Sequence, residues 1–173
     1  RIRGSFHRPL PEDAVVKGFR VKRDGPHWYV CFVLDLGPAP EKHPVASAVG
    51  IDLGVTTFAA LSDGSMVENP RHLAKSLDRL AGAQQVLSAK PKRRSVRRNQ
   101  AKAAVARLYA RVRNQRREFL HTTSRKLVET YDLIAHEALE IQRMTHRGAV
   151  TPAQGVGLHR SIADAAWGQF IAM

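Results

Sequence analysis

The sequence predicts an α/β protein in which a small β module is followed by an α/β domain with a long helical hairpin. Short apolar runs with turn signals between them predict the strands, and two long stretches with heptad-type spacing of apolar residues predict the hairpin. Hydrophobic residues make up 43% of the 173 residues, which is typical of a packed protein. No run of about 18 apolar residues predicts a membrane span.

The β module covers residues 1–44. Val15 to Leu36 is typical of a β-hairpin that turns at Asp24-Gly25. The proline-rich residues 37–44 predict a linker, so we expect a second domain over residues 45–173. The one cysteine, Cys31, is expected in the core and excludes an intramolecular disulfide or a zinc site built on a cysteine pair.

The second domain begins with three predicted consecutive antiparallel strands. Two of them are Val49 to Gly54 and Thr56 to Leu61, and the third begins at Met66-Val67 after an Asp63-Gly64 turn. Asn69-Pro70 then predicts the start of a helix, because asparagine is a good N-cap and proline suits the first helical position.

A helical hairpin is predicted as an insertion over about residues 70–130. Beyond it, Tyr131 to Leu139 is expected to form another buried strand, and Leu158 to Met173 a helix with Trp167 and Phe170 facing a core. The leucines and other apolar residues that would form the seam of the hairpin are Leu73, Leu77, Leu80, Leu87, Val105, Leu108, Val112 and Phe119.

Net charge is concentrated in this hairpin. The whole chain is +13, and between Lys90 and Lys126 there are fourteen lysines and arginines against one acid, Glu118. Such a concentration favours a phosphate backbone as partner, and the alternative is a solvated basic face that keeps the protein in solution. The proposed contacts are Lys90, Lys92, Arg93, Arg94, Arg97, Arg98, Lys102, Arg107, Arg111, Arg113, Arg116 and Arg117.

Two acids interrupt predicted apolar strands. Asp52 lies between Gly50 and Gly54, whose lack of side chains would leave space on that face of the strand, and Glu137 lies in the later run after His136. A buried carboxylate needs a hydrogen-bonding partner, an opposite charge or a metal ion. Asp52 and Glu137 are therefore candidate catalytic ligands of Mg²⁺ or Mn²⁺ in a two-metal site that cleaves phosphodiesters.

Two other interpretations of these residues stay open. In the first, the acids only accept hydrogen bonds from backbone or arginine, and His136 is a partly buried neighbour rather than a ligand. In the second, residues 50–57 form a phosphate motif similar to that of Hsp70-like and actin-like ATPases. A lone short glycine motif is a weak signal for that class.

The order of motifs resembles the C-terminal half of TnpB proteins, transposon-encoded RNA-guided DNA endonucleases related to type V CRISPR effectors. Residues 1–6 and the strand at Trp28 resemble part of that family's wedge β-barrel. Residues 50–55 resemble its first nuclease motif and residues 136–139 its second. The helices at residues 114–121 and 161–170 are similar as well.

The resemblance implies a ribonuclease H-like (RuvC) domain preceded by a partial wedge barrel, with Asp52 and Glu137 as metal ligands. Family members continue into a four-cysteine zinc ribbon and a third catalytic aspartate, and residues 45–173 are expected to lack both. Ala138 and His159 depart from the family pattern. Asp164 belongs to a helix motif and is expected to cap or pair rather than to replace the third acid.

The implied function is guide-RNA-directed, magnesium-dependent cleavage of target DNA, with guide RNA and target DNA as partners. The alternatives are a catalytically incomplete nucleic-acid-binding fragment and a cut-and-paste transposase. With neither a membrane span nor a secretory signal in the sequence, the expected location is the cytoplasm, at the nucleoid.

Overall fold

The computed structural model describes residues 4–5, 9–24, 27–38, 44–91, 95–145 and 152–173. The chain divides into two compact units, Arg1–His43 and Pro44–Met173. Each is described by itself below. In the described part of the chain, no helix combines the length and the apolar character needed to cross a membrane.

The first unit contains the predicted β-hairpin. Strands β1 (Val15–Asp24) and β2 (His27–Asp35) pair in antiparallel register, and Gly25 of the predicted turn lies outside the described residues. Cys31 is exposed, so its predicted place in a core is wrong. The reason is that the described strands of this unit form one two-stranded sheet whose side chains are mostly exposed on both faces.

The second unit is built on a four-stranded sheet. Its strands are β3 (Ala48–Leu53), β4 (Thr57–Leu61), β5 (Met66–Glu68) and β6 (Leu133–His136), in the spatial order β5-β4-β3-β6. The first three pair antiparallel, as predicted, whereas β6 pairs parallel to β3. The α/β class predicted from the sequence is confirmed.

Strand β6 is shorter and more exposed than predicted. It covers four residues rather than the nine from Tyr131 to Leu139, and Ile134 is its one half-buried side chain. It lies at an edge of the sheet among the described residues, so one side of the strand has no neighbour to bury it. Apolar composition alone did not distinguish this edge strand from a central one.

Among the described residues of this unit, five α-helices follow or flank the sheet. They are α1 (Leu77–Ser88), α2 (Val96–Thr130), α3 (Ile141–Thr145), α4 (Pro152–Ala165) and α5 (Trp167–Ile171), and a short 3₁₀ turn at Ala74–Ser76 precedes α1. Helix α4 thus begins before Leu158, the predicted start of the last helix.

The predicted helix start at Asn69-Pro70 is wrong. The Asn69 side chain donates to the Val55 carbonyl at 2.8 Å and accepts from the Arg71 N–H at 3.0 Å. Arg71 has a left-handed backbone, with φ of 49°. An asparagine side chain that bonds to its own turn competes with helix formation, and the first helix therefore begins later.

Helices α1 and α2 form the predicted antiparallel hairpin. The side chain of Gln84 donates to the Tyr109 hydroxyl at 2.9 Å, and nearer the tip Arg98 Nη1 donates to the Lys90 carbonyl at 3.0 Å. Ser95 caps α2 by accepting from the Arg98 N–H at 3.2 Å. The described residues on either side of the tip are thereby joined by defined hydrogen bonds.

The core lies between one face of the sheet and the helices. Phe58 of β4 is fully buried and meets Phe119 of α2 and Phe170 of α5 edge-on, with centroids 4.8 and 5.1 Å apart. Such aromatic pairs add roughly 0.5–1.5 kcal/mol beyond burial. Trp167 and Phe170 are buried, as the sequence predicted.

Candidate metal centre and nucleic-acid surface

The two faces of β3 are chemically different. Val49, Ile51 and Leu53 are buried in the core, while Asp52 is exposed on the opposite face. The expectation that Asp52 is a buried acid is therefore wrong, because alternation along the strand turns it to solvent. Its charge carries no large desolvation cost, and its oxygens are free to meet a ligand from outside.

The parallel register of β3 and β6 brings the two predicted acids together. Ile51 pairs with His136, and Asp52 and Glu137 each follow one residue later. Both acids line one open cleft of about 430 Å³. The other lining residues are Gly50, Ile51, Ala60, Leu61 and Ser62.

The register is fixed at the far end of the two strands. Asp132 Oδ2 accepts from the N–H groups of Ala46 and Ser47 at 3.0 and 2.9 Å and from the Ser47 hydroxyl at 2.9 Å. The Leu133 N–H donates to the Ser47 carbonyl at 3.0 Å. Since a slip of one residue would break this set, it aligns Asp52 with Glu137.

A second contact holds the same end. The Tyr131 hydroxyl donates to the carboxylate of Asp63 in the β4–β5 turn. This bond, with further hydrogen bonds from Ser65, lowers the pKa of Asp63, and it raises the pKa of Tyr131. The turn after β4 is thereby joined to the residue that leads into β6.

The two glycines beside Asp52 have different roles. A Cβ at Gly50 would make ordinary contact with the Ser62 side chain at 3.6 Å, but a Cβ at Gly54 would lie 2.7 Å from the Thr57 carbonyl oxygen. Gly54 is required by a tight turn, in which its N–H donates to the Phe58 carbonyl at 3.2 Å. The predicted open space therefore exists near Gly50 and not at Gly54.

The cleft contains one polar side chain, that of Ser62, that was not predicted from the sequence. Ser62 follows β4 and its hydroxyl accepts from the Gly50 N–H at 3.0 Å, which places an oxygen beside the acids. Its position directly after an apolar strand was the available signal. His136, expected to be partly buried, is exposed and contacts the carbonyl of Glu137 through Nδ1 at 2.9 Å.

Two carboxylates on neighbouring strands are oxygen ligands of the kind that Mg²⁺ prefers. Within the described residues there is no cluster of three or more histidine, cysteine or acidic side chains able to hold a metal ion. The pair could thus supply part of a coordination shell, with water and substrate oxygens completing it.

Asp164 lies elsewhere and has a structural role. It accepts from Arg116 Nη2 at 2.8 Å and from the Leu73 N–H at 3.0 and 3.1 Å, and its side chain is 8% exposed. Asp164 thus pairs, as expected from the sequence. Arg116, proposed above as a nucleic-acid contact, is 19% exposed and engaged in this pair, so we remove it from that surface.

Most of the other proposed nucleic-acid contacts lie exposed along α2. Lys90 and Arg98 are half-buried, and Arg98 closes the hairpin as described above. Lys92, Arg93 and Arg94 lie outside the described residues. The exposed members are Arg97, Lys102, Arg107, Arg111, Arg113 and Arg117.

Fold and cleft together define an α/β protein with paired acids on adjacent strands and a strongly basic helix. The model of the OrfB_IS605 family, described as "Probable transposase", matches residues 29–148. The chain belongs to this family, which is the TnpB family of the sequence resemblance. This membership decides against the ATPase interpretation.

Two relatives are informative. A "Putative RNA-guided DNA endonuclease" of Streptomyces pristinaespiralis is 36% identical over 171 residues, covering 97% of this chain and 40% of the relative. The "Putative RNA-guided DNA endonuclease InsQ" of Escherichia coli K12 is 33% identical over 160 residues, covering 88% and 40%. The chain thus spans about two fifths of the length of these curated relatives.

Proposed function

We propose that this chain supplies two acids of a ribonuclease H-like (RuvC-type), metal-dependent nuclease centre in an RNA-guided DNA endonuclease. Asp52 and Glu137 would be the metal ligands, and the exposed basic residues of α2 would bind backbone phosphates of guide RNA or target DNA. The partial wedge barrel would correspond to residues 1–44 and the nuclease domain to residues 45–173.

One observation carries the proposal: the parallel β3–β6 register that aligns Asp52 and Glu137 in one open cleft. Two acids that are far apart in sequence and adjacent in space are expected of a shared ligand site. Simple solvation of each carboxylate would not require the alignment. The names of the two relatives, both putative RNA-guided DNA endonucleases, agree with this chemistry.

Magnesium or manganese bound there would activate a water molecule and stabilise the leaving oxygen of a phosphodiester. Asp52 and Glu137 would hold the cation through anionic oxygens from adjacent strands. The Ser62 hydroxyl lies in the same cleft and would add a polar group there. The sheet beneath, buried on its other face, holds the two strands rigidly.

A binding-only function is the second candidate. It is favoured by the lack of a third acidic or histidine ligand near the pair in the described part of the chain. A protein of this kind would hold nucleic acid through α2 without hydrolysing it.

Incubation of the purified chain with guide RNA and labelled target DNA in Mg²⁺ tests both candidates. Cleavage that is lost in EDTA supports the nuclease, whereas salt-sensitive binding without cleavage supports the binding-only function. Strand-transfer products would instead favour the transposition implied by the family description.

A further inference from the structure

A second cavity lies beyond the carboxyl end of β3, at the opposite end of the strand from Ser47. Its volume is about 350 Å³, and its lining includes two arginines from distant parts of the chain, Arg71 and Arg160. Thr56 adds an exposed hydroxyl group, whereas the Ser161 hydroxyl, also in the lining, donates to the Gly157 carbonyl at 3.0 Å. Neither arginine is among the residues predicted from the basic segment.

Both guanidinium groups are available. Arg71 and Arg160 are exposed, and within the described part of the chain neither makes an ion pair. The acid in the lining, Asp164, is already neutralised by Arg116 and by the Leu73 N–H. The cavity is therefore net positive, with hydrogen-bond donors on several sides.

Arg71 is held in place by its neighbours. Its left-handed backbone is unusual for a residue with a Cβ, and strained conformations of this kind cluster at functional sites. Asn69 bonds both the Arg71 N–H and the carbonyl of Val55, which lines the same cavity. The arginine and the loop after β3 are thus fixed relative to each other.

The cavity adjoins the loop that follows β3, on the side of the sheet where α4 packs, whereas the Asp52 side chain lies on the other face. A strand that reaches both would therefore pass over the carboxyl end of β3. Thr56 is four positions after Asp52, so their Cα atoms are at most about 14 Å apart. One strand of a nucleic acid has a phosphate for about every 3.4 Å of axial rise, so a strand over the acids would place a phosphate within reach. The tight turn at Gly54 shortens this separation further.

We propose that Arg71 and Arg160, with the Thr56 hydroxyl, form a phosphate-binding subsite for the nucleic-acid strand that crosses the Asp52–Glu137 cleft. Arginine suits this role because its planar guanidinium donates two parallel hydrogen bonds to phosphate oxygens. The subsite would set the position of the strand relative to the acids. This inference rests on the proposed function for the identity of the ligand. The positions of the residues that line the cavity do not depend on that function.

The first test is a ¹⁵N–¹H NMR titration of the 173-residue chain, first with inorganic phosphate and then with a short single-stranded oligothymidylate. We expect the side-chain N–H signals of Arg71 and Arg160 and the amide signals of Thr56 and Ser161 to move. If signals move along α2 alone, the subsite is refuted.

The second test measures how oligothymidylate affinity depends on salt. Each phosphate contact to a single strand contributes about 0.7 to the slope of log K against log salt, so R71Q/R160Q should lower the slope by about 1.4 and R160Q alone by about 0.7. R160Q leaves the strained residue intact and keeps the test valid if R71Q/R160Q unfolds. The matched control, R20Q/K22Q, removes two exposed charges from β1 and should leave the slope unchanged; equal effects of the two pairs would overturn the proposal.

The titration is repeated on Asp52→Asn to separate this proposal from the nuclease. If the signals of Arg71 and Arg160 move in this variant as they do in the native chain, the subsite is supported even if no cleavage is found. Cleavage by the native chain without any shift at these arginines refutes the subsite and leaves the nuclease standing.

Discussion

Arg116 of α2 donates to Asp164 of α4 at 2.8 Å, and both side chains are largely buried. The same carboxylate accepts the Leu73 N–H just before α1. Three segments of the helical layer therefore meet at one acid.

We predict that Asp164→Ala lowers the free energy of unfolding by roughly 3 kcal/mol, because it leaves a mostly buried guanidinium without its partner. Urea denaturation followed by circular dichroism measures the loss. The control is Arg125→Ala, which breaks an exposed ion pair with Glu129 and should cost less than about 1 kcal/mol. Equal losses of unfolding free energy in the two variants would show that the buried Arg116–Asp164 pair stabilises the fold no more than the exposed Arg125–Glu129 pair.

Asp52→Asn and Glu137→Gln should each abolish magnesium-dependent cleavage while leaving nucleic-acid affinity within about twofold, since the phosphate contacts are elsewhere. The assay is cleavage of labelled target DNA by the chain loaded with guide RNA, with binding measured separately. Glu118→Gln, an exposed acid on α2, is the matched control. Cleavage retained in Asp52→Asn would refute the metal-ligand assignment.

Gly54→Ala should destabilise the second unit by roughly 1–3 kcal/mol, because the added methyl group would overlap the Thr57 carbonyl. Gly50→Ala is the matched control on the same strand, where the methyl group meets Ser62 at an ordinary distance. Thermal unfolding of both variants gives the comparison. If Gly50→Ala proves the more damaging, the turn described at Gly54 is not the reason for that glycine.

Stability should fall as the solution is acidified through the titration of His72. Burial lowers the pKa of His72 below its ordinary value of 6.5, against an opposing effect of Asp164. The unfolded chain then binds the proton more readily than the folded one, so the His72 contribution is complete above pH 6.5 and is lost as the pH falls below it.

His72→Gln, which carries no titrating ring, should flatten this part of the stability curve. Melting temperatures measured on both sides of the ordinary pKa report the change, with His121→Gln as the control for removing an imidazole. An identical pH dependence in His72→Gln and the native chain would contradict the prediction.

Local sequence predicted the strands β3 to β5, the β-hairpin and the pair of long helices, because each depends on apolar spacing and turn residues within a short window. The proximity of Asp52 and Glu137 was a correct expectation from their matching surroundings. Their exposure was not foreseen, since an apolar run does not say which strand lies at an edge or which face is covered.

Long-range contacts account for the remaining differences. The pairing of Arg116 with Asp164 joins residues 48 positions apart. Because of it, Arg116 has a structural role and not the predicted role of a nucleic-acid contact. The cavity at Arg71 and Arg160 likewise depends on residues brought together only by folding. Neither arginine lies in the basic segment from Lys90 to Lys126, from which the nucleic-acid contacts were predicted.

The parallel pairing of β3 with β6 has a kinetic consequence. Its anchor joins Ser47 to Asp132, 85 residues apart, with the whole helical hairpin between them. Neighbouring strands such as β4 and β5 close short loops and form early, whereas closing so long a loop is slow. During synthesis Asp52 leaves the ribosome long before Glu137. In the nascent chain Asp52 therefore has no Glu137 beside it until the helical hairpin has formed and β6 has paired with β3.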